Sequence, residues 1–246
     1  MIKKLVVLDW GNIIHKAIFA FRNNSQVPIS YTILRMIIGY LKRIGVTLDD
    51  KIVIAEDYGS WRKDIDKEYK AQRKAFREDK ESADWWAEMY KETNELATKL
   101  EQCLPWNFVK IYKMEADDVA SVAIRYIEAE EKIMISSDED WQMLCTIPNV
   151  KVFSPYTKKY KIIKNPEKIL LKKIKGDISD NLLEAPKTEV EFEKRKMIVD
   201  LIHLPQHIEQ LIIPVIQTLP IKNLYLNKVP FRTCREQIRG LYGLSE

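Results

Sequence analysis

The 246-residue chain is 46% hydrophobic and 31% charged, with 40 Lys or Arg against 36 Asp or Glu for a net charge of +4. That is apolar material enough for one domain, or one domain with a helical appendage, and it excludes a disulfide-stapled miniprotein and wholesale disorder. Cys103, Cys145 and Cys234 are odd in number and form no CxxC unit, which points to a reducing compartment; the opening MIKKLVVLD is too short for a signal peptide, and no segment offers the ~20 apolar residues of a membrane span.

KLVVLD (4–9) reads as a short buried strand stopped by Gly11-Asn12. Helices are predicted over 15–22 and 31–43; in the second, Ile33, Leu34, Ile37, Ile38 and Leu41 recur at helical spacing and Gly45 ends it. KIVIA (51–55) is a second strand, again followed by acids, Glu56-Asp57. From 58 to about 80 the chain turns polar, basic and aromatic, with eight Lys or Arg against five acids between Trp61 and Lys80. A long helix over 83–103 stops before Pro105, a short strand covers 108–111, and a helix covers 115–128. The strand 132–135 runs into SSDED (136–140), and a strand at 150–153 enters the stretch 151–175, which holds nine lysines and the single acid Glu167. Beyond Gly176-Asp177 the chain reads as helical, with segments at 189–202 and 205–217. Alternation of strand and helix over 1–155 argues for an α/β fold with a mostly parallel sheet covered on both faces.

Acids recur at the ends of these elements: Asp9, Asp57, then Glu115, Asp117 and Asp118, then Asp138 and Asp140, then Asp177 and Asp180. Singly, each pair is explained by the preference of helix N-termini for acids or by polar surface. Gathered together they would repel one another unless a cation intervened, so their convergence is an expectation about metal. Hard oxygen ligands without His or Cys suit magnesium or manganese, and two such ions can hold and activate a scissile phosphate. His203 and His207 are four apart but lack further zinc ligands, and no GxSxG, GxxxxGK[ST] or GxGxxG motif is present. A basic run alone reads as a solvated face; beside these acids it also suits a polyanion.

EADD (115–118), SSDEDW (136–141) and GDISDN (176–181), preceded by Asp9 and by WRKDIDKEYKAQR (61–73), resemble the structure-specific 5′-nuclease family of flap endonucleases and 5′–3′ exonucleases. The run from SSDEDW to YTKKYKI is most similar to the bacteriophage ribonuclease H branch of that family. The resemblance implies an α/β fold with a PIN-like central, mostly parallel sheet flanked by helices, a helical arch at about 58–82, and a helical C-terminal region. Residues 1–181 would form the catalytic core, and 182–246 a reduced helical region packed on it.

Carried over residue by residue, the resemblance implies a site for two Mg2+, with Mn2+ substituting, among Asp9, Asp57, Glu115, Asp117, Asp118, Asp138, Asp140, Asp177 and Asp180. Tyr69, Lys70 and Arg73 match the substrate-facing motif of the arch. Arg62, Lys63, Lys158, Lys159, Lys172, Lys173 and Lys175 are assigned to nucleic-acid binding. Many relatives follow GDxSDN with a glycine-rich turn that grips duplex phosphates; here the continuation is LLEAPKTEVEFEKRK, which shifts that expectation to 151–175 or the C-terminal helices.

The activity implied is magnesium-dependent 5′–3′ exonuclease and flap endonuclease cleavage of DNA, and of RNA in RNA/DNA hybrids, in removal of RNA primers during phage DNA replication. The implied partners are DNA duplexes with a 5′ end, nick or flap, RNA/DNA hybrids, and a single-stranded-DNA-binding protein, sliding clamp or polymerase. No membrane is implied, and the setting is the cytoplasm of the infected bacterial host. The competing readings are a PIN-like single-strand ribonuclease and a non-catalytic nucleic-acid-binding module.

Overall fold

The computed structural model describes residues 2–23, 26–73 and 83–245. Six strands, β1 (Ile2–Asp9), β2 (Lys51–Glu56), β3 (Trp106–Lys110), β4 (Ala129–Ile135), β5 (Val150–Ser154) and β6 (Lys159–Lys161), form one sheet in the order β3-β2-β1-β4-β5-β6. The first five are parallel, and β6 returns antiparallel along the edge. Leu5, Val6, Val7 and Leu8 are all fully buried in the central strand, which is why its sequence shows no polar alternation. Their side chains still alternate: Val6 and Leu8 enter one core with Ile52, Ile54, Ile133 and Ile135, while Leu5 and Val7 enter the other with Val53, Ala55 and Met134. Each such side chain contributes about 1.5–3 kcal/mol by leaving water.

The helices among the described residues are α1 (Trp10–Asn23), α2 (Ile29–Ile44), α3 (Arg62–Ile65), α4 (Ala83–Cys103), α5 (Ala116–Tyr126), α6 (Glu167–Lys175), α7 (Glu189–Val199), α8 (Gln206–Gln217) and α9 (Arg232–Leu241). α1, α2, α4 and α9 cover the first core; α5 and α8 cover the second. α2 ends at Gly45, whose φ of 70° is open to a residue without a Cβ. A third cluster of Tyr69, Ile174, Leu182, Ile198 and Val199 ties the segment after α3 to α6 and α7.

The strand spans 4–9, 51–55, 132–135 and 150–153 and the helix 83–103 lie within the observed elements, and the helix expected over 189–202 ends at Val199. β6 and α6 have no counterpart in the sequence reading, because KYK is too short and polar to announce a strand and lysines fill the exposed face of the helix; α9 lies in the stretch beyond 176 that reads as helical without bounds. Of the arch expected at about 58–82, residues 58–73 form α3 and turns, and 74–82 lie outside the described residues. No helix among the described residues is long and apolar enough to cross a membrane.

Candidate metal centre

The parallel sheet delivers β1, β2 and β4 to one end, the end at which open α/β sheets bind ligands. Asp9 closes β1 there, Asp57 follows β2, Asp138 follows β4, and Asp117 stands in the first turn of α5. These four acids line a single cleft of about 950 Å³ with Gly11, Asn12, Lys63, Tyr69, Lys70, Arg73 and Glu115. Each is aimed by neutral donors. The Asn12 N–H and the Ser136 hydroxyl donate to Asp9, both at 2.9 Å. The Ala116 N–H donates to Asp57 at 2.9 Å, the Trp141 indole to Asp117 at 2.5 Å, and the Asp140 N–H to Asp138 at 2.9 Å. A Cβ on Gly11 would stand 3.0 Å from Asp57 Oδ2 and 3.6 Å from Asp9 Oδ1, so glycine keeps open the space that both oxygens face.

Crowding of like charge shows in the proton affinities. Burial, joined by Asp57 and Asp138, pushes the Asp9 carboxyl up to about 7 against the opposing hydrogen bonds from Asn12 and Ser136. Burial and then Asp138 push Asp117 well above the usual carboxylate range, against Lys70. Mutually repelling hard oxygens around an open space fit a divalent cation, whose charge would reverse both effects.

Asp140, Asp177 and Asp180 form a second group, with one oxygen of each within 4.8 Å of the others, an arrangement suited to a metal ion. Asp138 links the groups: its charge bears on Asp9 and Asp117 on one side and on Asp140 on the other. Lys173 Nζ lies 2.6 Å from Asp140 Oδ1 and 2.5 Å from Asp177 Oδ2. Asp177 also accepts the Ser179 N–H and hydroxyl; burial would raise its carboxyl, but the Lys173 and Ser179 contacts outweigh that and hold it below its ordinary value.

EYKAQR and GDISDN are zipped together. The Lys70 N–H donates to the Asp180 carbonyl, Asn181 Nδ2 to the Glu68 carbonyl, and Gln72 and Arg73 to carbonyls of 178 and 179. Lys70 itself has φ 57°, a left-handed conformation that costs a non-glycine residue about 1–3 kcal/mol and persists only where surroundings fix it. Those surroundings are Glu115 Oε1 at 2.6 Å from Lys70 Nζ and Asp180 Oδ1 at 3.8 Å. Arg73 NH2 donates to Asp180 Oδ1 at 2.9 Å. Burial would lower the Lys70 ammonium, but Glu115, Tyr69, Asp180 and Asp117 together outweigh it and keep the side chain charged.

Arg62 requires a correction. Assigned to nucleic acid from its basic neighbourhood, it is 1% exposed, and its guanidinium donates to both oxygens of Asp118, to Glu115 Oε2 and to the Ile198 carbonyl. Asp118, fully buried, also accepts the Trp61 indole and the Glu115 N–H, so its oxygens face protein donors rather than the cleft. Glu115 accepts from Ser60, Arg62, Tyr69 and Lys70; burial would raise its carboxyl, and Lys70 and Arg62 reverse that and lower it. Tyr69 is 2% exposed, its hydroxyl near Glu115 and Asp180, which leaves no ring face open to a base.

The remaining lysines are dispersed. Lys63 is exposed on the cleft. Lys158 lines a separate groove with Lys16, Arg35 and Arg43, Lys159 and Lys175 are exposed, and Lys172 pairs with Glu139 at 2.7 Å. Lys173 is buried against the acids, a second departure from the expected nucleic-acid face. Asn12, Ser136 and Trp141 aim the acids without a sequence signal of their own beyond standing within three positions of Asp9, Asp138 or Asp140.

Residues 4–174 match the family described as 5′–3′ exonuclease, N-terminal resolvase-like domain. Ribonuclease H of Enterobacteria phage T4 is 30% identical over 190 residues, 72% of this chain and 62% of that protein, so the chain spans less than two thirds of that relative's length. The D15 protein of phage T5, co-crystallized with metal ions, superposes with a TM-score of 0.65 at 18% identity, covering 87% of this chain and 98% of that one. The phage T5 D15 flap endonuclease in complex with DNA and metal ions gives 0.59 at 22% identity over 97% and 93%. These matches correct the PIN-like designation: the flanked, mostly parallel sheet stands, but its architecture is that of the 5′-exonuclease and flap endonuclease proteins. Acids at the carboxyl ends of parallel strands suit any sheet built to hold catalytic cations, so they could not separate the two folds.

Proposed function

The chain belongs to the 5′–3′ exonuclease family, by the match over residues 4–174, and we propose that it is a divalent-metal-dependent 5′-nuclease. Its substrates are duplex DNA with a 5′ end, nick or flap, and RNA paired to DNA. The observation that carries this reading is that Asp138, which accepts the Asp140 N–H at 2.9 Å, joins the two carboxylate groups on a cleft that Lys70 and Arg73 also line.

Asp9, Asp57, Asp117 and Asp138 would hold one Mg2+, and Asp140, Asp177 and Asp180 a second. Bound there, the ions supply Lewis acidity toward the phosphate oxygens and lower the pKa of water. The chain's own residues do the rest. Lys70 and Arg73 hold nonbridging phosphate oxygens and offset the charge that grows on them during in-line displacement, a contribution of about 10²–10³ in rate for one well-placed donor. Glu115 fixes the Lys70 ammonium, and Arg62, Ser60 and Tyr69 fix Glu115, so these are positioning residues. The exposed Lys63, Lys158, Lys159 and Lys175 gather the duplex backbone by charge. Residues 1–181 act as the catalytic core and 182–246 as its helical support.

The likeness to a T4 phage protein supports a role in phage replication, where a single-stranded-DNA-binding protein, clamp or polymerase would present the substrate. The test uses an internally labelled 5′-flap duplex and a 5′-labelled RNA/DNA hybrid, with magnesium or chelator. Magnesium-dependent products with 5′-phosphate and 3′-hydroxyl ends, cut from the 5′ side or at the junction, are expected. Duplex binding without any cut would favour a binding module instead.

A further inference from the structure

The two carboxylate groups differ in what already neutralises them. Among the described residues, Asp9, Asp57, Asp117 and Asp138 accept hydrogen bonds from backbone N–H groups, a serine hydroxyl and an indole, and none forms an ion pair. In the other group every acid has a protein cation. Lys173 Nζ bridges Asp140 and Asp177 at 2.6 and 2.5 Å, and Arg73 lies 2.9 Å from Asp180. Lys173 is also 7% exposed, in the last turn of α6 and four residues before Asp177, so the helix presents it to this position.

We propose that Lys173 is a resident counter-cation of the Asp140, Asp177 and Asp180 group, and that a divalent ion enters that group only by exchange with its ammonium. The inference rests on the reading of those three acids as the second metal site. An ammonium bridging two of three ligands and a divalent ion cannot share the same oxygens without strong repulsion. Among the described residues the first group has no protein cation to displace, so the two sites fill in order, the Lys173 site last. The displaced ammonium remains tethered beside the cleft as a further positive charge.

The test is Mn2+ binding to the full chain without nucleic acid, counted by electron paramagnetic resonance. Wild type is expected to show a tighter and a weaker class. Lys173→Met, similar in length but neutral, should tighten the weaker class by at least about tenfold and leave the tighter one unchanged. It should also lower the melting temperature without Mn2+ and recover it with Mn2+, a signature that a purely structural lysine would not give. If Lys173→Met does not fold, Lys173→Gln keeps a hydrogen-bonding head without the charge and carries the same expectation. Unchanged affinities, or loss of the weaker class, in the folded variant would overturn the proposal. A chain that cuts flaps yet shows no tightening sinks this inference alone; one that binds Mn2+ as described yet cuts nothing sinks the nuclease reading alone.

Discussion

Replacing Arg62 by methionine separates a structural from a nucleic-acid role at a position whose sequence context suggests the second. The side chain makes four charge-assisted or carbonyl contacts: 2.8 and 3.0 Å to the two oxygens of Asp118, 2.9 Å to Glu115 and 2.6 Å to the Ile198 carbonyl. Methionine fills much of the volume but leaves Asp118, fully buried, and Glu115, 7% exposed, without their guanidinium. Removing one partner of a buried ion pair costs about 3–5 kcal/mol because the other charge is stranded. The Trp61 indole and the Glu115 N–H still serve Asp118, which holds the cost within that range. Set against a total stability of about 5–15 kcal/mol, it amounts to a drop of roughly 6–20 °C in melting temperature for a chain of this size. Arg62→Lys should recover little, since an ammonium cannot span both carboxylates and the Ile198 carbonyl. Urea and thermal unfolding measure the loss, and duplex affinity is read well below the melting point. A loss under about 1 kcal/mol with sharply weaker duplex binding would refute the structural assignment.

Lys70→Ala should lower single-turnover cleavage by about 10²–10³ while affecting duplex affinity much less; equal losses in both would make Lys70 a docking residue. The metal-free chain should grow more stable as pH falls from above 7 toward 4, because Asp9, raised from 3.8 to about 7, binds its proton in the folded state before the unfolded one does. The contribution is at most about 4 kcal/mol, and saturating Mg2+ should abolish it; thermal melts across that range with and without Mg2+ check both halves. Below about pH 4 the trend should reverse, as Glu115 and Asp177, both held below their ordinary values, are protonated and their ion pairs lost. Neutralising Lys158 and Lys159 together should weaken duplex binding and flatten its dependence on salt, measured by fluorescence anisotropy; an unchanged slope would remove that hairpin from the interface.

The sheet was legible because buried parallel strands are continuous apolar runs, and the acids were legible because Asp9, Asp57 and Asp138 interrupt or follow such runs. What the sequence left open was the direction in which charged side chains turn. Arg62 and Lys63 are neighbours in one basic run, yet the first is buried beneath Glu115 and the second exposed on the cleft. Lys172 and Lys173 diverge in the same way, one to Glu139 at the surface and one between Asp140 and Asp177. A helix separates adjacent positions by about 100°, so residue type in a charged run does not say which member meets a buried acid. Tyr69 shows the same limit: an aromatic beside two cations suits a base stack and a packing anchor equally, and here the ring anchors its turn against Ile174 and Leu182.

On the proposed reading, the acids converging on Asp138 hold the cations that cut nucleic acid. Single-turnover cleavage of a 5′-flap duplex by wild type and by Asp138→Ala, with duplex affinity measured in parallel, tests it most directly. Wild type should cut in a magnesium-dependent manner, and the variant should lose at least about 10³ in rate with binding retained. Wild-type turnover from a folded Asp138→Ala chain would contradict it.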